Sequence, residues 1–458
     1  MTAVDRRAFL MRSAAATGGA VCGVHALQGL VARTVLASSG TCSLQAGPGE
    51  GGYGPLRPAG PELALPAGFT YRKFGVMGSL MSDGHLTPSA HDGMAAFGVR
   101  KNHIRLVRNH EIPGVATPGL ITLIGDPIKG YDPGGLGGTT SLEIKVMPDG
   151  ERRLVKDFVS LSGTIMNCAG GPTPWRSWLS CEESTQGGDP LRKPHGYCFE
   201  VPSGANTEVP AVPLTAMGRF VHEAVAVDPG TGFVYETEDR SSAGLYRFIP
   251  DVGGDLAAGG RLQMLAIAGQ PNYDTSTGQQ VGLTLPVSWV DIPEPDPPDA
   301  EANPSAVFEQ GFARGGASFR RLEGCWFGNG SVFFNSTSGG DAGLGQVWEY
   351  RPPAGSEGDI TLRFESTSAD CLDGPDNITV SPRGGILICE DGGGEQYLRG
   401  LTREGKVFDF ALNLATSREF AGATFSPDGQ TLFANIQGDV VNLGMTFAIW
   451  GPWETGAL

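Results

Sequence analysis

Six times between residues 91 and 437 the chain repeats one pattern. A polar or acidic residue opens a short apolar strand, a turn follows, then a second strand, then another polar cluster. The copies are HDGMAAFGVRKNHIRLVRNHE (91–111), NCAGGPTPWRSWLSCEES (167–184), HEAVAVDPGTGFVYETEDR (222–240), EGCWFGNGSVFFNSTSG (323–339), DNITVSPRGGILICEDG (376–392) and EFAGATFSPDGQTLFANIQ (419–437). Their turns carry hairpin chemistry, as in Asp228-Pro229-Gly230-Thr231-Gly232, Ser381-Pro382-Arg383-Gly384-Gly385 and Ser426-Pro427-Asp428-Gly429. The strands FVYET, SVFFN, GILIC and TLFAN are β-branched and aromatic. Six hairpins that cannot bury their faces alone predict an all-β fold, a six-bladed β-propeller. YCFEV, GLYRFIP and QVWEYRP would extend blades outward. Dividing the roughly 420 residues after position 37 by six leaves about 70 per blade, above the usual ~40–50, so long inter-strand loops are expected. The Pro-rich acidic stretch 291–304 reads as one of them.

Hairpin geometry brings the start of the first strand and the end of the second to one rim. The polar residues sit at those two places. Glu111, Cys181, Glu182, Glu183, Glu223, Glu238, Asp239, Glu323, Asp376, Asn377, Glu390 and Asp391 are therefore expected to crowd one mouth of the channel. Carboxylates a few ångströms apart cannot all stay ionised without counter-charge. Bound cations are the cheaper solution, and hard oxygens suit Ca²⁺, Mg²⁺ or Fe³⁺. A thiolate among them points to a transition metal, iron or zinc, so a mixed site is expected.

The N-terminus bounds the setting. Arg6-Arg7 precede Phe9-Leu10, an Ala/Gly-rich stretch and the small-residue site Val35-Leu36-Ala37. That is the layout of a twin-arginine signal over 1–37, followed by a single domain over 38–458. The expectations are contact with the twin-arginine export machinery and a periplasmic or secreted product. No other segment approaches the ~18 consecutive apolar residues of a membrane helix, so stable membrane insertion is not expected. Removing 1–37 leaves 29 basic and 48 acidic residues, a net charge near −19, which argues against nucleic acid as a partner. Seven cysteines remain, so at least one stays unpaired, and Cys181 between apolar strand and two acids is the candidate.

At the level of motifs the chain resembles the PhoX-type alkaline phosphatases. RNHE (108–111), GGTTSL (137–142), NCAGGPTPWRSWLSCEES (167–184), GRFVHEAVAVDP (218–229), YETEDR (235–240), RLEG (321–324), GPDNITVSP (374–382) and FSPDGQTLFANIQ (425–437) with TFAIWGPW (446–453) carry the resemblance, in the family's order. The family's usual glycine in its TPWGTW motif is Arg176 here. The resemblance implies an exported metal-dependent phosphatase acting on small phosphate monoesters through iron (Fe³⁺) and calcium at the channel mouth. It maps metal ligands onto Glu111, Cys181, Glu182, Glu223, Glu323, Asp376 and Asn377, with Glu390 and Asp391 at the same rim. Arg321 would contact the phosphate, with Asn109 and Asn167 as further contacts. Neither G-x-S-x-G nor H-E-x-x-H is present, consistent with chemistry that needs no serine nucleophile. Two other readings compete: a Ca²⁺-dependent propeller lactonase, and a metal-stabilised propeller that binds ligands without catalysis.

Overall fold

The computed structural model describes residues 42, 44–352 and 357–458; the expected signal over 1–37 lies outside them. Among the described residues the chain is nearly all strand, with one α-helix, Ala306–Phe312, and two short 3-10 turns. The repeated sequence units become hairpins at the start of six strand units. Their first strands are His91–Arg100, Asn167–Pro172, His222–Val227, Leu322–Gly328, Pro375–Val380 and Phe420–Phe425. Their second strands are His103–His110, Ser177–Glu182, Val234–Glu238, Ser331–Ser336, Ile386–Glu390 and Leu432–Ile436. Each unit adds antiparallel strands outward in chain order. The third and fourth units are bridged into one nine-stranded sheet by Thr284–Asp291, which pairs with the outer strands of both.

Each first strand packs against the first strand of the next unit, and the last packs against the first. The six units thus close into a ring, the propeller that the repeat predicts. The last blade is completed from the other end of the chain, where Thr70–Phe74 pairs with Met445–Trp450. Closure leaves fewer free sheet edges and joins the chain's two ends. Apolar faces meet between blades; one cluster, for example, runs from Leu179, Cys181 and Cys198 to Val225, Tyr246 and Phe248.

First strands crowd the axis, and that sets their composition. A Cβ on Gly93 would lie 2.6 Å from Ala169 Cα, and one on Gly422 would lie 2.4 Å from Asp92 O at a φ of +60°. Only glycine permits both the approach and the second conformation. Arg176, where the resembled family has glycine, adopts φ 71° at the turn before Ser177–Glu182.

The segment before the first blade is tied down by the Cys42–Cys371 disulfide, which spans 329 residues. Cross-linking so long a loop restricts the unfolded chain strongly. Reduction, or Cys371→Ser, is expected to cost about 2–5 kcal/mol in denaturant melts.

Candidate metal centre

Every first strand carries a β-bulge at the same place. The pairing register slips between His91 and Met94, Asn167 and Gly170, His222 and Val225, Leu322 and Cys325, Pro375 and Ile378, and Ala421 and Thr424. A bulge re-aims the side chain it contains. In five blades that residue is a potential ligand: Asp92, Cys168, Glu223, Glu323 and Asp376. A small or short residue follows each. Together they form the floor of a basin at one end of the channel. Asp92, Cys168, Glu223 and Glu323 are buried there, and Asp376 is half-buried.

A second tier comes from the residue just after each second strand. Glu111, Glu183 and Asp239 occupy it half-buried, and Asp391 is exposed. The donors fall in three groups whose ligand atoms lie within 4.8 Å of one another, the first two joining both tiers: Asp92, Glu111 and Cys168; Cys168, Glu183 and Glu223; Glu223, Glu323 and Asp376. Cys168 and Glu223 each belong to two groups. The arrangement is a continuous run of donors, suited to several cations rather than one.

The floor is held by bonds from one blade to the next. Asn109 Nδ2 donates to Cys168 O at 3.0 Å and to Ala169 O at 2.7 Å. Thr237 Oγ1 donates to Glu323 O, Asn335 Nδ2 to Asp376 O and Asn435 Nδ2 to Asp92 O, each at 2.6 Å. The backbone of four of the five floor residues is thereby fixed by a neighbouring blade.

The electrostatics are those of a site that lacks counter-charge. Burial, then Glu323, Asp376 and Asp92, pushes Glu223 well above the carboxylate range. Burial and neighbouring acids do the same to Asp92, Glu183 and Glu323. Burial with Asp391 and Glu111 raises Asp376 to about 8, and burial raises Glu111 to about 7 despite Arg418. The Cys168 thiol is pushed up by burial and by Asp92, Glu223, Glu111 and Glu183. Both oxygens of Glu223 are buried without a hydrogen-bond partner. An unpartnered buried carboxylate is costly, and a bound cation would satisfy this one. Carboxylates suit hard ions, and a thiolate among them suits a transition metal, so the donor set fits a mixed metal centre.

Two arginines rim the mouth. Arg321 Nε and Nη2 donate to Asp239 Oδ1 and Oδ2, both at 2.9 Å, and Nη2 reaches Glu323 Oε1 at 2.8 Å. Its side chain is 36% exposed, which leaves part of the guanidinium facing the opening. It is held at φ 45°, an uncommon backbone state for a non-glycine residue. Arg418 bonds Gln437, lies 3.4 Å from Glu419 Oε1 and is similarly exposed.

Of the expected ligands, Glu111, Glu223, Glu323 and Asp376 lie in these groups. Asp391 adjoins them at the exposed rim, raising Asp376 and Glu111. Glu182 and Glu390 do not share those groups, because alternate residues of a strand point to opposite faces. Glu182 turns inward to His195 Nδ1 at 2.6 Å and to the backbone N–H groups of Ile165, Gly196 and Tyr197. Glu390 takes Arg399 Nε at 3.0 Å and Asp373 N at 2.9 Å. Glu238 likewise accepts from Gly244 N and Tyr246 OH. These three are last residues of their second strands and fasten their own blades.

The thiol at the basin is Cys168; Cys181 instead sits in the apolar layer between blades two and three, its Sγ 3.4 Å from that of Cys198. Asn377 accepts from Gly422 N and donates to Asp376 Oδ1, fixing a ligand rather than adding a donor to the three groups. Asn109 is fully engaged, since its Oδ1 also accepts from Trp178 Nε1 and Ser180 Oγ. Asn167 bonds Thr164 Oγ1 and Ser180 Oγ within the wall. Asp92, Cys168 and Arg418 were absent from the expected set. Aligning the units on the second residue of each first strand exposes the first two, because Asp92, Cys168, Glu223, Glu323 and Asp376 then fall in one column.

Below the floor the channel closes to a cavity of about 20 Å³ lined by Gly93, Ala169, Ala224 and Gly324 together with the larger Trp178 and Trp326. A wider surface groove of about 540 Å³, lined by Arg383, Arg403 and Lys406 among others, contains none of the basin residues.

Comparison with known proteins gives three findings. A family model described as Alkaline phosphatase PhoX matches residues 51–439. No curated protein sequence matches the chain. Among solved structures, Pseudomonas fluorescens PhoX in complex with vanadate, a transition state analogue, is 17% identical with a TM-score of 0.65, covering 87% of this chain and 97% of that one. The gluconolactonase XC5397 from Xanthomonas campestris is 11% identical with a TM-score of 0.41, covering 86% and 99%.

Proposed function

Because this chain belongs to the alkaline phosphatase PhoX family, a family of metal-dependent phosphatases, we propose that it hydrolyses phosphate monoesters at iron and calcium ions held in the channel mouth. The observation that carries the reading is the two-tier basin, in which Glu223 and Cys168 each join two ligand groups and Glu223 has no hydrogen-bond partner. Asp92, Glu111, Cys168, Glu183, Glu223, Glu323 and Asp376 would hold the ions. Asp391 at the exposed rim is an additional ligand in this reading; Glu182, Glu390 and Asn377 act by fixing the wall, as do Asn109 and Asn167. Bound there, iron and calcium would supply Lewis-acid polarisation of the phosphoryl group and lower the pKa of an oxygen nucleophile.

The chain's own residues orient the ester. Arg321, its Nε–Nη2 fork clamped by Asp239 and Glu323, holds the two remaining N–H groups of Nη1 in fixed directions for phosphoryl oxygens. Arg418, two blades further round, adds positive charge at the same mouth. The ring of acids repels the anionic substrate until cations neutralise it, so metal loading precedes substrate binding. Export through the twin-arginine route to the periplasm or medium is part of the same proposal. It is supported by the Arg6-Arg7 motif and by the Cys42–Cys371 disulfide, which suits an oxidising compartment. No helix among the described residues is long and apolar enough to cross a membrane.

The test is hydrolysis of p-nitrophenyl phosphate together with elemental analysis. Activity that a chelator abolishes and Ca²⁺ restores, in protein containing iron and calcium, supports the proposal; activity that survives full metal removal sinks it. Arg321→Lys keeps the charge and loses the fork. Loss of charge-assisted bonds worth ~1.5–3 kcal/mol predicts a fall in kcat/KM of roughly 10- to 100-fold, with metal content unchanged.

A further inference from the structure

A second cluster of soft donors lies away from the basin, in the layer between blades two and three. Cys181 and Cys198 face each other across the strands Ser177–Glu182 and Cys198–Pro202. Their Sγ atoms are 3.4 Å apart and unbonded. Cys198 Sγ lies 3.6 Å from His222 Nδ1, which lies 3.5 Å from Glu236 Oε2. The ligand atoms of Cys198, His222 and Glu236 are all within 4.8 Å of one another. All four residues are fully buried.

The thiols contact each other and His222, and His222 contacts Gly218 O, but the carboxylate of the cluster accepts no hydrogen bond. Both carboxylate oxygens of Glu236 lack a hydrogen-bond partner although the residue has no exposed surface. His222 Nε2 is 3.1 Å from Gly218 O, so the proton belongs on Nε2 and Nδ1 presents a lone pair to the thiol and the carboxylate. That backbone contact is the usual outer bond of a metal-ligating histidine. Phe220 stacks on the imidazole at 3.6 Å between ring centroids and helps exclude water.

The spacings match one geometry. A tetrahedral zinc ion with sulfur at about 2.3 Å and nitrogen or oxygen at about 2.0 Å needs ligand atoms roughly 3.3–3.8 Å apart. The separations of 3.6 Å from Cys198 to His222 and 3.5 Å from His222 to Glu236 fall in that window; Cys181 lies 3.4 Å from Cys198 but outside the group that the other three form. A disulfide between the two cysteines would demand an S–S distance of about 2.05 Å and leave the buried Glu236 carboxylate with no partner.

We propose that Cys198, His222 and Glu236, completed by a rotation of the adjacent Cys181 side chain toward them, form a closed, structural site for a divalent metal of zinc type, separate from the catalytic basin. With four protein ligands and no opening to solvent, the ion has no free position for substrate. Its role is mechanical. The cysteines belong to blade two and His222 and Glu236 to blade three, so the ion fastens two adjacent blades. His222 and Glu223 are consecutive, and this fastening also steadies the strand that carries a ligand of the basin.

The test uses the full chain produced with Zn²⁺ in the medium and freed of loose metal. One equivalent of zinc is expected, with a zinc-edge absorption spectrum that requires two sulfurs and two lighter ligands. Cys198→Ser should lose that equivalent while keeping the iron and calcium content of the basin. If that variant does not fold, Glu236→Gln serves, and its zinc affinity should fall by at least about tenfold in competition with a chromophoric chelator. Absence of stoichiometric zinc, zinc without sulfur ligation, unchanged affinity in Glu236→Gln, or a Cys181–Cys198 disulfide in unreduced peptide maps would each overturn the site.

Discussion

Glu223→Gln is expected to abolish phosphatase activity while leaving a propeller that melts higher than the parent chain when both are stripped of metal. The two effects have one cause. Glu223 is buried, unpartnered and surrounded by Glu323, Asp376 and Asp92. In the metal-free chain it is a burden, and a neutral amide relieves the repulsion. In the loaded enzyme it joins two of the three ligand groups, so its loss disrupts the whole run of donors. Several kcal/mol of transition-state charge stabilisation depend on the ions there, which corresponds to roughly a thousandfold or more in kcat/KM. Metal content, melting temperature after chelation and p-nitrophenyl phosphate turnover are the readouts. Full activity with normal metal content in Glu223→Gln would remove the basin from the mechanism. A variant that merely unfolds would instead show a lower melting temperature in the stripped state.

The second large effect is on stability against pH. In the metal-free chain, folding raises Glu111 from 4.5 to about 7 and Asp376 from 3.8 to about 8, chiefly by burial. Asp92, Glu183, Glu223, Glu323 and Glu419 move in the same direction. The folded state therefore binds more protons than the unfolded state between those values. Stability from these groups is fully present below about pH 4 and is lost as pH rises through 7 to 8. The slope is roughly 1.4 kcal/mol per pH unit for each extra proton held. Chelated protein should thus unfold more readily at pH 9 than at pH 6. Metal-loaded protein should reverse the trend, because cations replace the protons and bind best to ionised ligands. Melts from pH 5 to pH 9 with and without chelator check this. Parallel curves would mean that the acids are neutralised by something other than metal.

Much of the architecture was legible beforehand. The six copies mark the first two strands of all six blades, because each copy joins turn chemistry to a β-branched run and such units bury their faces only by stacking. The gathering of acids at one mouth followed from hairpin geometry. Less legible was which of two neighbouring polar residues faces the channel. Glu182 and Glu183, Glu238 and Asp239, and Glu390 and Asp391 are adjacent pairs, and a strand's two-residue period sends one inward to its blade and the next to the rim.

The amino-acid sequence alone determined the strand units, their order, the acidic rim and the family motifs, because turn residues and alternating apolar runs act over a few residues. Tertiary structure decided which thiol meets the acids. Cys168 lies in a bulge, whose extra residue redirects its side chain and whose carbonyl is held by Asn109 from the preceding blade. Cys181 lies in regular pairing opposite Cys198 and faces blade three. Bulge position and blade-to-blade contact are long-range properties, set only when the ring closes.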